Sequence, residues 1–489
     1  MAERTQVEDF YRKWRFAEKS VVEGYVYDED KKLLRTRYIF SKFLVLLRKF
    51  LTNQLDETEK INILTGLRGT GKTTLLAQLY LLEKYPRESE KFLKEVGKDF
   101  FDLEKIYLDV SRLRLENIRL NEFFNFFEEH HKIHYETIPR RLLIILDEVQ
   151  YDTDWGLFLK SVFDRTKGHK NILVIATGSS ALRLKMNPDL VRRSSFAELF
   201  PLKFSEYLIL KHDLSPKLNF ADDFIKLLAN SENADDVFAF LKSKEKEVSQ
   251  FWVSLPIGAE DDFLNFGGFP FGLKITNEQK IIEKVRSLIN NIILKDIPFV
   301  TELKSTTFSK LEELIFLLAS SHQISFENLA SALKMNYRTV VSGIDVLVKS
   351  GLITKVNAFG RAYTGVRKAP KTLFLSPSLR YSILGGIQKP ENRGSLLEDY
   401  CSLLFTKDFQ PYLESVTYDY AEGGADFILT LKDRCHIVVE VGFNKEEIKQ
   451  VENTLKKVKG KYGIVFGSKK LELINKSIVK IPLRYLLLI

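Results

Sequence analysis

The sequence predicts an α/β fold, in which a parallel sheet with helices on both faces carries a phosphate-binding loop. Three observations predict this fold. Residues 66–74 fit the pattern G-x-x-x-x-G-K-[ST] of a phosphate-binding loop. Residues 142–150 form an apolar run that ends in two carboxylates. Between residues 61 and 200, short apolar runs alternate with helix-compatible stretches, which is typical of strands joined by crossover helices.

Length and charge limit the class of protein. The chain has 489 residues, too many for one hydrophobic core, so roughly two to four domains are expected. The formal net charge of +9 favours a polyanionic partner such as nucleic acid. No apolar segment reaches the ~18 residues of a membrane span, and the charged N-terminus lacks the apolar stretch of a signal peptide. We therefore expect a cytoplasmic protein with no membrane partner.

The predicted phosphate-binding loop lies between an apolar run at residues 61–64 and a helix-compatible run at residues 73–80. Glycines let several backbone N–H groups point at one anion, and the following helix N-terminus adds partial positive charge. Lys72 is expected to reach the β- and γ-phosphates, and the Thr73 hydroxyl is expected to bind Mg²⁺. The predicted nucleotide-binding residues are Gly66, Leu67, Arg68, Gly69, Thr70, Gly71, Lys72, Thr73 and Thr74.

The second half of the predicted site follows the apolar run at residues 142–146, which is typical of a buried parallel strand. Asp147 and Glu148 follow this run, at the strand end where α/β sheets bind their ligands. We expect Asp147 to hold Mg²⁺ and Glu148 to orient and polarise the attacking water. An acidic pair alone is more often a helix cap, but together with the loop it predicts hydrolysis of a nucleoside triphosphate.

Residues 61–200, with Asp147–Glu148 and the polar stretch at residues 177–180, resemble an archaeal and bacterial family of AAA+ ATPases. In that family a winged helix and a restriction-endonuclease-like domain follow the ATPase, and the resemblance covers most of residues 61–465. It implies ATP and Mg²⁺ as cofactors. It also implies an ATPase core at residues 61–200 and a helical lid at 201–304, and the residues before them predict a mostly helical N-terminal extension at 1–60.

The resemblance further implies two functional positions. A polar residue after the fourth strand contacts the γ-phosphate or the water; Thr177, Ser179 and Ser180 match this stretch, and Ser179 is favoured. A helix N-cap is the alternative role for these residues. Arg192 or Arg193 stands where such proteins carry an arginine finger, which would act on a neighbouring subunit of a homo-oligomer. A solvated surface pair is the alternative.

Residues 305–384 have the pattern of a winged helix-turn-helix, with helices predicted at 311–319, 326–333 and 337–348. A third helix of this kind enters the major groove of DNA, and basic residues on the wing contact phosphates. A protein–protein adaptor is the alternative. The predicted DNA-contacting residues are Tyr337, Arg338 and Thr339 on the helix and Arg361, Arg367, Lys368 and Lys371 on the wing.

Residues 394–489 carry Glu398, Asp426 and Glu440 in an order that resembles the restriction-endonuclease-like core. The resemblance implies that these carboxylates form a second Mg²⁺ site. The family's lysine is replaced by Gly442, although Lys445 follows closely and would be a substitute. An active nuclease, a degenerate DNA-binding domain and a scaffold all remain open.

The function predicted from the sequence is therefore a Mg²⁺-dependent AAA+ ATPase that acts on or beside DNA as a homo-oligomer. Two alternatives remain. One is an ATP-gated switch for DNA or protein binding with little turnover, and the other is a nuclease that ATP licenses.

Overall fold

The computed structural model describes residues 3–178, 188–216, 220–299, 309–321, 324–360, 368–385 and 393–489. These residues divide into two compact units, Met1–Leu199 and Phe200–Ile489. Within the described part of the chain, no helix is both long and apolar enough to cross a membrane.

The first unit is built on a five-stranded sheet whose paired strands all run parallel. The strand order β2-β3-β4-β1-β5 inserts β4 between the strand before the phosphate-binding loop and the strand that carries the acidic pair. Both strands therefore end at the same edge of the sheet as β4. The strands are β1 (Ile61–Thr65), β2 (Glu104–Asp109), β3 (Leu142–Asp147), β4 (Ile172–Thr177) and β5 (Ser195–Glu198).

Helices cover both faces of this sheet, as the sequence predicts. Alternate strand residues supply two separate apolar cores: Ile144 packs on one side and Ile145 on the other. The helices are α1 (Arg4–Gly24), α2 (Ile39–Leu51), α3 (Lys72–Tyr80), α4 (Pro86–Val96), α5 (Lys98–Phe101), α6 (Val110–Leu115), α7 (Leu120–His131), α8 (Trp155–Arg165) and α9 (Pro188–Val191).

The N-terminal extension is part of this unit, because α1 lies along the free edge of strand β2. Trp14 Nε1 donates to the Tyr107 carbonyl at 2.9 Å, and the Glu18 carboxylate accepts from the Tyr107 N–H at 2.6 Å. Residues before this contact, such as Tyr11, join one core, and residues after it, such as Val22, join the other. The extension thus closes an edge that would otherwise present unpaired backbone groups.

The second unit contains an eight-stranded mixed sheet in the order β12-β13-β11-β10-β9-β8-β6-β7. The strands are β6 (Ile353–Ala358), β7 (Lys371–Phe374), β8 (Leu413–Tyr418), β9 (Phe427–Leu431), β10 (His436–Val441), β11 (Tyr462–Ser468), β12 (Glu472–Ile474) and β13 (Ile478–Pro482). The helices are α10 (Phe204–His212), α11 (Phe220–Asn230), α12 (Ala234–Val253), α13 (Ala259–Phe266), α14 (Glu278–Asn291), α15 (Leu311–Ser320), α16 (Phe326–Leu333), α17 (Tyr337–Lys349), α18 (Pro377–Leu384), α19 (Arg393–Lys407), α20 (Lys449–Val458) and α21 (Leu483–Leu488).

Helices α15, α16 and α17 agree with the three helices predicted from the sequence. Ser325 caps α16 and Asn336 caps α17, each with its side chain accepting from a backbone N–H two or three residues later. Strands β6 and β7, which lie where the sequence predicts the wing, do not form a separate wing. Strand β6 pairs with β7 and also runs parallel to β8, with Ala358 opposite Tyr418, so both strands extend the C-terminal sheet.

One apolar core runs through the second unit. It joins Phe204, Tyr207 and Phe263, from the segment predicted to be a lid, to Tyr400 and Tyr485 near the C-terminus. The predicted domain boundaries at residues 304, 384 and 394 therefore do not separate apolar cores in the described residues. The boundaries themselves stay predictions.

Candidate nucleotide-binding site

The predicted phosphate-binding loop connects β1 to α3, and two of its glycines are required by the backbone. A Cβ atom at Gly66 would lie 2.3 Å from the Leu199 carbonyl oxygen. Gly71 precedes α3 with a φ of +95°, a left-handed conformation that residues with side chains avoid. These positions let the loop curl against β5 and then start a helix whose first N–H groups face the loop.

The Lys72 ammonium lies inside the loop. It donates to the carbonyl oxygens of Gly66 and Leu67 at 2.9 and 3.1 Å. A residue of the N-terminal extension supports the loop from outside: buried Arg37 donates to the Thr70 carbonyl at 2.8 Å. Sequence reasoning missed Arg37, because nothing near it in the chain marks its contact with a loop more than thirty residues away.

Asp147 ends β3 as a buried carboxylate. The Thr177 hydroxyl, at the end of β4, donates to Asp147 Oδ1, and the Tyr107 hydroxyl from β2 donates to Oδ2 at 3.1 Å. The Thr73 hydroxyl of α3 acts on the same carboxylate and lowers the pKa of Asp147. Hydroxyl groups from two strands and one helix thus act on one carboxylate at the end of a third strand.

Glu148 follows directly and is partly exposed. Its backbone has a φ of 56°, which is uncommon for a residue with a side chain and recurs at functional sites. The Glu148 N–H donates to Thr177 Oγ1 at 3.3 Å, and Gln150 Nε2 donates to its carboxylate. Thr177 therefore contacts both acidic residues, donating to one and accepting from the other.

The electrostatics of the site favour a cation beside Asp147. Burial raises the pKa of Asp147 to about 6, and the neighbouring Glu148 charge acts in the same direction. Hydrogen bonds from Thr177 and Thr73 lower this pKa and so favour the ionised form. Carboxylate and hydroxyl oxygens are the ligands that Mg²⁺ prefers, so the residues present fit the ion that the sequence predicts.

Two other predicted positions have different outcomes. Ser179 and Ser180 lie outside the described residues, whereas Thr177 of the same stretch reaches Asp147. Arg193 pairs with Asp164 at 3.7 Å and covers the Phe163 ring, so it is engaged within its own chain. Arg192 is exposed.

Comparison with known proteins agrees with this geometry. A family model described as an AAA domain matches residues 58–208, and a model described as a domain of unknown function matches residues 259–389. The uncharacterized protein MJ1637 of Methanocaldococcus jannaschii is 32% identical over 449 residues, which cover 90% of this chain and 86% of that protein. This chain belongs to the family of MJ1637.

Other similarities are more distant. The uncharacterized protein MJ1544 of the same archaeon is 23% identical over 452 residues, covering 88% of this chain and 87% of that protein. Among solved structures, a Walker-type ATPase of Pyrococcus abyssi aligns with 73% of this chain and 97% of its own, with 16% identity and a TM-score of 0.39. Residues 58–208 of this chain form an AAA domain with the phosphate-binding loop of a P-loop ATPase.

The predicted DNA-contacting residues have different surroundings. Tyr337 and Arg338 are exposed at the start of α17, and Thr339 beside them is half-buried. Lys368 is exposed, with its ammonium 5.1 Å from the centre of the Tyr420 ring. Arg361 and Arg367 lie outside the described residues.

The prediction for Lys371 is wrong. Its side chain is buried, 8% exposed, and the ammonium pairs with Glu398 and Asp426, 2.9 Å from Asp426 Oδ1. The cause is the β6–β8 pairing, which brings the start of β7 onto the C-terminal sheet rather than into solvent. Burial alone lowers the Lys371 pKa, but the Asp426 and Glu398 charges raise it above its usual value.

Glu398 and Glu440 lie on either side of Asp426, which is linked to each of them. The Asp426 N–H donates to Glu440 Oε2 at 3.2 Å, and Lys371 bridges Asp426 to Glu398. Burial raises the pKa of Glu398 and of Glu440 to about 7, and the Asp426 charge adds to both shifts. Lys445 does reach back: its ammonium lies 2.9 Å from Glu440 Oε1, and its stem passes over Gly442, whose missing side chain leaves room for it.

Proposed function

We propose that this chain binds ATP together with Mg²⁺ at the β1–α3 loop and hydrolyses it. The observation that carries the proposal is the hydrogen-bond set around Asp147. It joins Asp147 to the Thr177 hydroxyl at the end of β4, and through Thr177 to the Glu148 N–H. The Thr73 hydroxyl of the phosphate-binding helix acts on the same carboxylate and lowers its pKa, which a purely structural acidic pair would not need.

Each residue has a role that its contacts support. Lys72 would exchange its bonds to the loop carbonyls for bonds to the β- and γ-phosphates. Thr73 and Asp147 would hold Mg²⁺, which supplies charge neutralisation at the phosphates when bound. Glu148, more exposed than Asp147, would accept the proton of the attacking water, and Gln150 would orient its carboxylate.

Two substitutions test this proposal. Lys72→Ala should abolish binding of a fluorescent ATP analogue, because the loop loses the ammonium that meets the triphosphate. Glu148→Gln should retain binding but lower hydrolysis by at least about a hundredfold, the effect typical of losing a general base. Binding is measured by fluorescence titration, and hydrolysis by phosphate release with saturating ATP and Mg²⁺.

Matched controls lie on α4. Lys94→Ala and Glu90→Gln make the same chemical changes in an exposed surface pair, so both should bind and hydrolyse ATP as the parent does. A Glu148→Gln variant with the parent rate would reject Glu148 as the base. If Lys72→Ala bound the ATP analogue as tightly as the control variants do, the proposed binding site would be rejected.

We further propose that the ATPase acts on or beside DNA as an oligomer. Exposed Tyr337 and Arg338 at the N-terminus of α17 support contact with a phosphate backbone. Exposed Arg192 supports an arginine supplied to a neighbouring subunit, whereas Arg193 is paired with Asp164.

The DNA part is tested by fluorescence anisotropy of a labelled duplex at several salt concentrations. Arg338→Ala should weaken binding and reduce the salt slope by about one charge. Arg87→Ala removes an exposed arginine of the first unit and serves as the control. Equal affinities and slopes for Arg338→Ala and Arg87→Ala would exclude α17 from the interface.

A further inference from the structure

The acidic site of the second unit already contains a cation from its own chain. The Lys371 ammonium contacts Glu398 Oε2 and lies 2.9 Å from Asp426 Oδ1. Its stem is buried too, with the ammonium 5.2 Å from the centre of the Phe427 ring. The two carboxylates come from α19 and from the residue before β9, so one lysine joins two elements.

The segment that carries Lys371 is fixed in this position at several points. The Tyr418 hydroxyl donates to the Ala369 carbonyl at 2.7 Å. Asp399, next to Glu398 on α19, accepts from the Phe374 N–H at 2.8 Å and forms a buried ion pair with Arg380 at 2.6 Å. Contacts on both sides of Lys371 therefore hold its ammonium against the carboxylates.

This arrangement leaves little room for a divalent cation. Such an ion needs several oxygen ligands within about 2.0 to 2.6 Å, and the two oxygens it would share here accept from Lys371. Among the described residues, Glu398, Asp426 and Glu440 do not bring one oxygen each within 4.8 Å of the other two. The remaining acid, Glu440, forms an ion pair with Lys445, whose Nζ lies 2.9 Å from Glu440 Oε1.

The net charge of the cluster also disfavours a divalent cation. With all groups ionised, the two ammonium groups leave one net negative charge on the three carboxylates. A divalent cation would reverse the sign of a buried cluster while lying beside an ammonium, and like charges at close range in a low dielectric repel strongly. The donor set around these acids is therefore complete without a metal.

We propose that Lys371 is the resident cation of this site, and that the second unit does not take the divalent metal implied by its resemblance to restriction endonucleases. The carboxylates of Glu398 and Asp426 then serve to anchor β7 to α19. This proposal is independent of the ATP site, which lies in the other unit.

Mn²⁺ binding to the full chain without nucleotide tests the proposal, with EPR detection of the free ion. The parent should bind no more Mn²⁺ than its Asp426→Asn variant. Lys371→Met should bind at least about tenfold more tightly than the parent, because two buried carboxylates then need a cation. Adding Asp426→Asn to Lys371→Met should remove this gain.

Lys355→Met is the matched control, because Lys355 lies on the neighbouring strand β6 and pairs with Asp345 of α17. It should bind Mn²⁺ as the parent does. Far-UV circular dichroism checks that each variant is folded, and Lys371→Gln, which keeps a hydrogen-bond donor, replaces Lys371→Met if that variant is unfolded.

Two results would overturn the proposal. The first is saturable Mn²⁺ binding by the parent that Asp426→Asn abolishes, with or without cutting of plasmid DNA. The second is a folded Lys371→Met or Lys371→Gln variant that binds no more Mn²⁺ than the parent, since the ammonium would then not be what keeps the metal out.

Discussion

At the scale of single residues, Thr177 connects the two acids of the nucleotide site. Its hydroxyl donates to Asp147 and accepts from the Glu148 N–H at 3.3 Å. One hydroxyl therefore fixes the carboxylate expected to hold the metal relative to the residue expected to orient water. A small displacement of Asp147 relative to Glu148 would lower the rate of ATP hydrolysis, because the metal and the attacking water must be held in a fixed relative position.

We expect Thr177→Val, which keeps the side-chain shape but removes the hydroxyl, to lower the hydrolysis rate by about tenfold to a hundredfold. A hydrogen bond to a buried charged group contributes about 1.5–3 kcal/mol. ATP binding without Mg²⁺ should change little, because the loop is untouched. Phosphate release and fluorescence titration with and without Mg²⁺ measure the two effects.

Thr177→Ser is the control, since it retains the hydroxyl and should keep most of the rate. Equal rates for Thr177→Val and the parent would show that the hydroxyl is dispensable and would return the role to another residue of the stretch, such as Ser179.

Residues whose contacts lie within one motif were accessible from the sequence, and residues brought in by tertiary structure were not. Lys72 and Thr73 stand at fixed positions of a nine-residue pattern, so the roles proposed for them follow from spacing. Tyr107 reaches Asp147 only because β2 and β3 pair in register, with Asp109 opposite Asp147. Lys371 was assigned to a surface because its partners Glu398 and Asp426 follow it by 27 and 55 positions.

At the scale of elements, helix α1 lies along the outer edge of β2, where a sixth strand would otherwise pair. Trp14 and Glu18, one turn apart, satisfy the carbonyl and the N–H of Tyr107 on the outer edge of β2. The Tyr107 hydroxyl in turn contacts Asp147 at 3.1 Å. No function was predicted for the N-terminal extension from the sequence. Tyr107 nevertheless links it to the nucleotide site, because the Tyr107 backbone contacts α1 and its side chain contacts Asp147.

We expect Glu18→Met to destabilise the first unit by about 1–3 kcal/mol, the cost of leaving a buried N–H without an acceptor. Burial raises the pKa of Glu18, so the neutral Glu18→Gln, which keeps an acceptor oxygen, should be far less harmful. Urea denaturation measures both variants against the parent.

The ATPase rate supplies a second measurement. If α1 braces Tyr107, then Glu18→Met should also lower hydrolysis at urea concentrations where the unit is still folded. Equal stabilities of Glu18→Met and Glu18→Gln would mean that the carboxylate does not satisfy the edge of β2.

At the scale of the whole molecule, the sequence predicted the first unit better than the second. The alternation of strands and helices between residues 61 and 200 predicts the parallel sheet that is observed. A helix that connects two strands returns the chain to the same edge of the sheet, so the two strands run parallel. In the second unit, the predicted helices and carboxylates are present, but the pairing of β6 with β8 joins segments about 60 positions apart. Local patterns do not encode such a pairing, and so the sequence did not predict that β6 and β7 join the C-terminal sheet.

The pairing of β6 with β8 has a measurable consequence. A fragment of residues 394–489, the C-terminal domain predicted from the sequence, lacks Lys371 and Arg380. Glu398 and Asp399 would then be buried acids without partners, at a cost of about 3–5 kcal/mol for each broken pair. The fragment also loses Phe263, whose ring lies 5.4 Å from that of Tyr400. We expect it to show no cooperative unfolding transition by circular dichroism.

A fragment of residues 200–489 retains the cations, the apolar core and all eight strands, and should unfold in a single cooperative transition. Arg380→Met in this longer fragment should lower the transition midpoint, because it leaves Asp399 buried with one hydrogen bond from the Phe374 N–H. A cooperative transition in the short fragment would show instead that residues 394–489 form an independent domain. The two ion pairs would then orient β7 without being needed for folding.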